Sequence, residues 1–212
     1  MRLCVSLSNL VYSKYLREDA MLALDALGYV TKLKGIKTVL DVGPGHGFHK
    51  QFLEAIDKEV KTVDTNLEYN PDYLGDFVTT EVGGNYDLVW ASHVLEHQPN
   101  VNGFIKKCNA VLKNGGYLAV TVPPAKMGIV GGHLTIWNAG LLLYNLIIGG
   151  FNCNKAAVKT YGYNISVIVQ KKPFTLPELR YDNGDIETLS EFFPFPAQQD
   201  FNGCIGELNW KI

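Results

Sequence analysis

Two hydrophobic periods alternate along most of the chain. Short runs rich in β-branched residues, typical of strands buried in a parallel sheet, alternate with segments whose apolar residues are spaced like one face of a helix. The pattern predicts strands at residues 37–42, 60–64, 86–92 and 117–122, and helices at 13–34, 48–56, 101–112 and 139–148. Strands that alternate with helices form right-handed βαβ units, so we expect helices on both faces of a doubly wound, mostly parallel sheet.

The pattern changes after the apolar helix at residues 139–148. Residues 155–161 and 163–170 both have the pattern of strands, and only Gly162 separates them. A connection this short cannot form a parallel crossover, so the two strands must form an antiparallel hairpin. The sequence therefore predicts an α/β, Rossmann-like domain over residues 1–171, whose sheet ends in an antiparallel hairpin.

The remaining segment, residues 172–212, is rich in proline and aromatic residues. Flexible linkers are polar, so we expect this C-terminal extension to pack on the domain, most simply as a clamp on its surface. Two sharper roles stay open. The extension could be a lid over a substrate site, or a contact through which the protein forms a homodimer.

Composition limits the classes of function. Of the 212 residues, 47% are hydrophobic and 19% are charged, which excludes a disordered chain. The net charge of -2 argues against nucleic-acid binding, since no basic excess exists to neutralise phosphates. The four cysteines are widely separated and predict neither a zinc site nor a disulfide framework. The most apolar run, residues 140–149, is too short to span a bilayer. We expect a cytoplasmic protein without a membrane span.

A glycine cluster lies between the first predicted strand and the helix that follows it. Gly43, Gly45 and Gly47 form the spacing G-x-G-x-G, whereas the dinucleotide fingerprint G-x-G-x-x-G requires a glycine where Phe48 stands. A P-loop is also excluded, because no Gly-Lys-Ser/Thr follows. Such a loop lets the backbone approach a ligand at the helix N-terminus.

Two acidic residues indicate the charge of that ligand. Asp41 lies two residues before Gly43, where it would repel a phosphate but favour an ammonium group or another cationic centre. Asp64 ends the next predicted strand, about twenty residues after Gly43, where a carboxylate can accept hydrogen bonds from both ribose hydroxyls. The pattern therefore predicts a pocket for a cationic nucleoside without phosphates.

On these motifs, residues 38–171 resemble the class I S-adenosylmethionine-dependent methyltransferases of small molecules. The segment VLDVGPGHG at 39–47 resembles their first motif, Val63-Asp64 their ribose-binding strand end, and Gly75-Asp76-Phe77 their third motif, in which a carboxylate meets the adenine amino group. Residues 86–97, YDLVWASHVLEH, are similar to the fourth strand of methyltransferases that include those of quinone biosynthesis.

The resemblance implies a seven-stranded sheet and S-adenosylmethionine as the methyl donor. It also implies the donor-binding residues, which are Asp41, Gly43, Gly45, Gly47, Asp64, Asp76, Phe77, Ala91, Ser92 and His93. The segment between Asp64 and Asp76 is too short for the usual crossover helix, which we expect to be lost. A narrower likeness, over residues 130–138 and 149–151, to methyltransferases of saccharide and lipopolysaccharide synthesis suggests a saccharide or glycolipid precursor as acceptor.

Methyl transfer from a sulfonium requires positioning, and a hydroxyl acceptor also requires a base. His97 corresponds to a position on the methyl side of the donor pocket in the family, and His133 lies in the glycine-rich loop after the fifth strand. We take His97 and His133 as candidate catalytic bases, with the alternative that each only bonds the backbone. For His46 and His49, in the glycine loop and the first helical turn, a role in placing the helix is the better explanation.

Other chemistries lack their motifs. No N-P-P-[YF/W] follows the fourth strand, no Pro-Cys pair supplies a thiolate, and no carboxylate cluster for a catalytic metal is evident, so no metal is expected. The acids Asp182, Asp185 and Glu187 are predicted to be solvated. The predicted function is O-methylation, favoured over N-methylation, of a small molecule. The alternatives are an inactive S-adenosylmethionine-binding regulatory or partner subunit, and a nicotinamide-dependent oxidoreductase, which Phe48 and Asp41 disfavour.

Overall fold

The computed structural model describes residues 22–211, and their helices and strands follow the predicted alternation. The α-helices are α1 (Leu24–Val30), α2 (Phe48–Ala55), α3 (Val101–Val111), α4 (Ala139–Ile148) and α5 (Asp185–Thr188). The strands are β1 (Thr38–Val42), β2 (Glu59–Asp64), β3 (Tyr73–Leu74), β4 (Tyr86–Ser92), β5 (Leu112–Val122), β6 (Ala157–Tyr161), β7 (Asn164–Gln170) and β8 (Glu207–Leu208). Short 3-10 turns lie at Leu67–Tyr69, Leu95–His97 and Ser190–Phe192.

The strands form one sheet in the order β3-β2-β1-β4-β5-β7-β6-β8. Strands β1 to β5 pair in parallel, while β7 is antiparallel to both β5 and β6. The predicted Rossmann-like fold with a terminal antiparallel hairpin is confirmed. The predicted number of seven strands is wrong, because the C-terminal extension adds β8, whose Leu208 and Glu207 pair with Val158 and Lys159 of β6.

Both faces of the sheet are covered, which explains why its central strands are continuously apolar. In β4, Leu88 and Trp90 join the core on the side of α1 and α2, while Val89 and Ala91 join the core on the side of α3 and α4. The alternation follows from the two-residue side-chain period of a strand. Helices on both faces leave the strand ends at the edges of the sheet as the place for a ligand.

The first helix is shorter than predicted. Residues 13–21 of the predicted helix lie outside the described residues, and α1 ends at Val30 rather than at Gly35. The chain leaves the helix through tighter turns, in which the backbone N–H groups of Lys32 and Leu33 donate to the carbonyl oxygens of Tyr29 and Val30. These three-residue spacings replace the four-residue spacing of an α-helix.

A 3-10 turn at Leu67–Tyr69 takes the place of the crossover helix between β2 and β3, as the short segment predicts. Asp72 holds the shortened unit together, because one carboxylate oxygen accepts hydrogen bonds from the Thr62 backbone N–H and hydroxyl, both at 3.0 Å. Its other oxygen pairs with the Lys61 ammonium at 2.8 Å. Two residues of β3 therefore suffice to keep the strand in the sheet.

The C-terminal extension contributes side chains to the core. Leu189, Phe193 and Ala197 are buried in the cluster that α4 also packs against. Asp185 is buried as well and accepts hydrogen bonds from the backbone N–H groups of Arg180 and Tyr181, so the prediction that it is solvated is wrong. Within residues 22–211, no helix is long and apolar enough to cross a bilayer.

Candidate active site

A cavity of about 490 Å³ opens where the carboxyl ends of β1, β2 and β4 meet. This volume is within the usual range for small-molecule sites. Most of the predicted donor-binding residues lie together here, and those that line the cavity are Gly43, Gly45, Asp64, Asp76, Phe77 and His93. The candidate base His97 also lines it.

The other predicted donor-binding residues lie near this cavity or behind it. Ser92 lines an adjoining opening, which it shares with Gly43 and His93, and Gly47 lines a further one at the start of α2. Asp41 and Ala91 are buried within β1 and β4, each with 1% of its surface exposed. These two residues support the floor of the site.

The glycine loop turns sharply between β1 and α2. Gly43 and Gly47 have φ angles of 68° and 75°, in the left-handed region that glycine adopts without strain. The Gly43 N–H donates to the Val63 carbonyl oxygen of β2, and the Gly47 N–H donates to the Pro44 carbonyl oxygen, both at 2.9 Å. The loop is therefore fixed against the strand that carries Asp64.

Two carboxylates line the cavity, those of Asp64 and Asp76. Asp64 Oδ1 accepts a hydrogen bond from the Asn66 N–H at 2.8 Å, which fixes the side chain at the end of β2. Asp76 Oδ1 accepts one from the Val78 N–H, also at 2.8 Å. Phe77 is 5% exposed, and its ring packs at 5.1 Å from the ring of Phe104, so it joins the cavity wall to the core.

Asp41 is a buried acid behind the glycine loop. Its burial raises the pKa of the carboxyl group to about 7; the Lys50 ammonium lowers it and the neighbouring Asp64 raises it. Oδ2 is buried without a hydrogen-bond partner among the described residues. An uncompensated carboxylate here is costly, so a proton or a cationic group is favoured close by.

His93 sits in a strained conformation directly after β4. Its φ angle of 56° is uncommon for a residue with a side chain. The backbone N–H donates to the Thr121 carbonyl oxygen at 2.8 Å, and ring nitrogen Nε2 lies 3.0 Å from Asn164 Oδ1. Asn164 comes from the hairpin, and no local sequence signal marked it as part of the site.

The two candidate bases face each other near one buried acid. The rings of His97 and His133 are 5.1 Å apart and meet edge to face. Glu96, which is 1% exposed, lies with Oε1 at 3.8 Å from His97 Nε2 and 3.4 Å from His93 Nδ1. Sequence reasoning missed Glu96, although it stands between two singled-out histidines in the segment HVLEH.

His133 lines a second cavity, of about 290 Å³, formed by residues that follow β5. Its wall includes Pro124, Lys126 and Tyr163, with the Lys126 ammonium 4.0 Å from the centre of the Tyr163 ring. Because His97 lines the first cavity and His133 the second, the pair of rings marks the boundary between the two. That arrangement suits one cavity for a donor and one for an acceptor.

His46 and His49 contact their surroundings in the way expected of residues that place the helix. His49 Nε2 lies 3.0 Å from the Leu22 carbonyl oxygen, and its ring packs at 5.1 Å from the Trp90 ring. The His46 ring meets the Tyr69 ring at 5.3 Å. These contacts connect the start of α2 to the segment before α1 and to β4, and the glycine loop to the 3-10 turn.

Comparison with known proteins agrees with the fold and the motifs. Residues 12–145, more than half of the chain, match the methyltransferase domain family. The chain therefore belongs to the methyltransferase domain family, and its sheet is that of the Rossmann-like methyltransferases.

Curated relatives are distant. The chain is 27% identical over 99 residues to a ubiquinone biosynthesis O-methyltransferase of Bordetella avium, over 39% of this chain and 41% of the relative. It is 26% identical over 98 residues to the enzyme of the same name from Paraburkholderia xenovorans, over 39% and 42%. The match thus spans about two fifths of each relative's length.

Solved structures share the fold at low identity. The Burkholderia thailandensis 1,6-didemethyltoxoflavin-N1-methyltransferase, with bound 1,6-didemethyltoxoflavin and S-adenosylhomocysteine, is 15% identical with a TM-score of 0.61, covering 78% of this chain and 87% of that one. A SAM-dependent methyltransferase from Archaeoglobus fulgidus is 18% identical with a TM-score of 0.55, covering 77% and 94%.

Proposed function

We propose that the protein transfers a methyl group from S-adenosylmethionine to a hydroxyl group of a small molecule, with a saccharide or glycolipid precursor as the acceptor. One observation carries the proposal: His97 and His133 lie at the boundary between two cavities at the carboxyl ends of the strands. Ligands of open α/β sheets bind at this edge. The O-methyltransferase relatives support a hydroxyl acceptor, and the narrower sequence likeness supports its saccharide character.

The donor fits the larger cavity. In this proposal the Asp64 carboxylate would accept hydrogen bonds from the ribose hydroxyls and that of Asp76 from the adenine amino group, beside the apolar ring of Phe77; all three residues line this cavity. The methionine part would lie against the glycine loop, whose Gly43 and Gly45 line the same cavity. A methyltransferase with the same fold binds S-adenosylhomocysteine, the product that this donor leaves.

The reaction is an in-line displacement. The acceptor oxygen attacks the methyl carbon as the bond from that carbon to sulfur breaks, and the sulfur keeps the electron pair. The sulfur becomes neutral when it keeps this pair, and the positive charge leaves as the hydroxyl proton, which passes to an imidazole or through it to water. Rate enhancement comes chiefly from holding oxygen, carbon and sulfur in line, with the base adding to it.

Donor binding is tested by calorimetry with S-adenosylmethionine. The wild-type chain is expected to bind it, and Asp64→Ala to bind at least tenfold more weakly, the loss of about one charged hydrogen bond. Glu59→Ala, at the exposed opposite end of the same strand, is the matched control. Equal affinities for wild type and Asp64→Ala would remove the basis for this donor site.

Turnover is tested with a radiolabelled methyl donor and a panel of saccharides, glycolipid precursors, phenols and amines. The proposal expects label in hydroxyl compounds, and expects His133→Ala or His97→Ala to lower kcat far more than donor affinity. Equal small losses in kcat for both variants would argue against a histidine base. Donor binding with no transfer to any acceptor would instead favour an inactive regulatory or partner subunit.

The C-terminal extension forms, with α4, a further cavity of about 320 Å³ lined by Leu141, Tyr144 and Phe201. Neither His97 nor His133 lines this cavity, so the extension's lid role and its role in a homodimer both stay proposals. Sedimentation of the full chain and of Phe201→Ser, a change at an exposed residue of the extension, tests the dimer contact. A dimer lost in the variant supports the contact, and a monomer in both cases opposes it.

A further inference from the structure

Glu96 is a buried carboxylate whose charge the described residues leave uncompensated. Its side chain is 1% exposed, and neither carboxylate oxygen has a hydrogen-bond partner among residues 22–211. A buried charge without a partner costs several kcal/mol. A proton or a cationic group close to Glu96 is therefore favoured, as it is at Asp41.

The two imidazoles beside Glu96 do not offer it a hydrogen bond when they are neutral. His97 Nδ1 lies 2.8 Å from the Gly132 carbonyl oxygen, which can only accept, so the ring's hydrogen is on Nδ1 and the lone pair of Nε2 faces Glu96. His93 Nε2 likewise donates to Asn164 Oδ1, which leaves the lone pair of Nδ1 towards the same carboxylate. Asn164 is fixed in this orientation, because its Oδ1 also accepts from the Ala23 N–H.

The loop after β5 is docked on this cluster by its backbone. The N–H groups of Leu134 and Thr135 both donate to the Glu96 carbonyl oxygen, at 2.8 Å and 3.2 Å. Together with the Gly132 contact to His97, these bonds place His133 over Glu96. One ligand atom each from Glu96, His97 and His133 lie within 4.8 Å of one another.

We propose that Glu96, His97 and His133 bind a divalent transition-metal ion of the zinc and cobalt type. A carboxylate oxygen with two imidazole nitrogens is a ligand set for such ions, whereas magnesium and calcium prefer oxygen alone. The bond from His97 Nδ1–H to a backbone carbonyl is the usual way in which a metal-binding histidine is oriented. Both histidines are partly exposed, so their rings can close the remaining distance to the ion.

Three protein ligands leave a coordination position open, as in catalytic zinc sites. Because His97 lines the larger cavity and His133 the smaller one, this position faces the boundary where the two meet. If the proposed methyl transfer is correct, the ion would take the place of the histidine base: an acceptor hydroxyl bound there would lose its proton to solvent more readily, since the ion would stabilise the alkoxide. Metal binding itself does not depend on that activity.

The test uses the full chain after treatment with a chelator, in the absence of any methyl donor. Titration with Co(II), followed by its visible absorption and by calorimetry, is expected to give one bound ion per chain, with Mg(II) unable to displace it. Glu96→Gln and His133→Ala are each expected to weaken Co(II) binding at least tenfold, since even the loss of a residue that only orients a ligand costs about that much. Glu178→Gln, which changes an exposed carboxylate of the C-terminal extension, is expected to bind as the wild type does.

The proposal is overturned if the wild type takes up no stoichiometric Co(II), which would mean that the cluster holds a shared proton only, or if His133→Ala binds Co(II) as tightly as the wild type. His133 is partly exposed, so its variant stays informative if Glu96→Gln fails to fold, and circular dichroism checks both. S-adenosylmethionine affinity of the chelated wild type is measured in parallel. Failure of metal binding with intact donor binding would refute this site alone, and the reverse result would refute only the proposed donor.

Discussion

The backbone of Gly43 lies against the side chain of Val94, so closely that a methyl group on Gly43 would overlap Val94 Cγ2. Gly43 belongs to the loop after β1 and Val94 to the segment after β4, and both line the larger cavity. Gly43 also has a φ angle of 68°, so a side chain at this position meets strain as well as collision.

Gly43→Ala is therefore expected to lower both stability and donor affinity. The left-handed conformation costs about 1–2 kcal/mol for alanine, and the overlap with Val94 adds about 1–3 kcal/mol. Gly45→Ala is the matched control, because its φ angle is also positive, at 52°, but a methyl group there meets no atom within 4 Å. Urea denaturation and donor calorimetry measure the two effects.

Removing the neighbour should reverse part of the loss. In Gly43→Ala/Val94→Ala the overlap disappears, so the double variant is expected to bind the donor better than Gly43→Ala alone. If Gly43→Ala and Gly45→Ala reduce the free energy of unfolding and the donor affinity equally, the contact with Val94 contributes to neither.

The glycine loop and Asp64 could be predicted because their signals are local, a spacing of glycines after one strand and an acid at the end of the next. Their assembly around one cavity follows from parallel strands whose carboxyl ends share an edge. The contact between Gly43 and Val94 could not be predicted in this way, since it depends on how closely two loops approach. Glu96 and His133 were brought together by the backbone bonds of a loop without regular structure.

The eighth strand could not be predicted either, because it also depends on a contact between segments far apart in the sequence. Glu207 and Leu208 show no alternation that could mark a strand, and they pair with β6 only because that strand was left at the edge of the sheet. Asp185 was predicted to be solvated on the basis of its polar neighbours. In the structure the turn closes over it, and two backbone N–H groups satisfy its carboxylate.

Asp87 joins the starts of β1 and β4, and its ionisation should support stability at neutral pH. Burial raises the pKa of this carboxyl group, but the Lys113 ammonium and the backbone N–H groups of Thr38 and Lys37 outweigh burial and lower the pKa to about 2. A carboxyl group with a lowered pKa stabilises the fold above its unfolded pKa of about 3.9, and this stability is lost as the pH falls through the folded pKa.

Asp87→Asn is expected to reduce the free energy of unfolding by about 1–3 kcal/mol at pH 7, because donors around the site lose a charged partner. The difference from wild type should shrink as the pH falls from about 4 to about 2. Urea denaturation at several pH values measures it, with the exposed Asp57→Asn as control. A difference that stays constant down to the lowest pH would show that the charge of Asp87 does not matter.

Donor binding should depend on pH through Asp41, whose pKa is raised, whereas that of Asp87 is lowered. Burial raises the pKa of Asp41 to about 7, so in the free protein the carboxyl group is protonated below that pH. The raised pKa costs stability progressively as the pH rises from about 4 to about 7, because the unfolded chain releases this proton earlier. A cationic donor above Asp41 would favour the ionised form and lower its pKa.

Donor affinity of the wild type is therefore expected to increase as the pH rises from about 6 to about 7.5, accompanied by release of a proton. The side chain in Asp41→Asn cannot ionise. Donor affinity of this variant should therefore change less with pH, by the amount that the other groups of the site contribute. Calorimetry in two buffers with different ionisation enthalpies measures both the affinity and the proton release. The same slope in both proteins would place the cationic part of the donor away from Asp41.

Thr121 and Ser166 connect the parallel part of the sheet to its antiparallel hairpin. They face each other in β5 and β7, both are at most 1% exposed, and their hydroxyl oxygens lie 2.7 Å apart. Ser166 Oγ also lies 3.0 Å from the Tyr161 hydroxyl. Ser166→Ala would leave the Thr121 hydroxyl buried without its partner, at a cost of about 1–3 kcal/mol, whereas Thr121→Val leaves Ser166 with Tyr161.

The double variant Thr121→Val/Ser166→Ala should therefore lose less stability than the sum of the single changes. Residues in direct contact show interaction energies of about 0.5–3 kcal/mol in such a cycle, and urea denaturation of the four proteins measures it. Thr121→Val with Ser190→Ala, whose hydroxyl bonds Ala197 in the C-terminal extension, is the control cycle and should be additive. If the Thr121–Ser166 cycle is additive too, the two hydroxyls do not stabilise each other, and the junction of the two sheet regions depends on its backbone pairing and apolar packing alone.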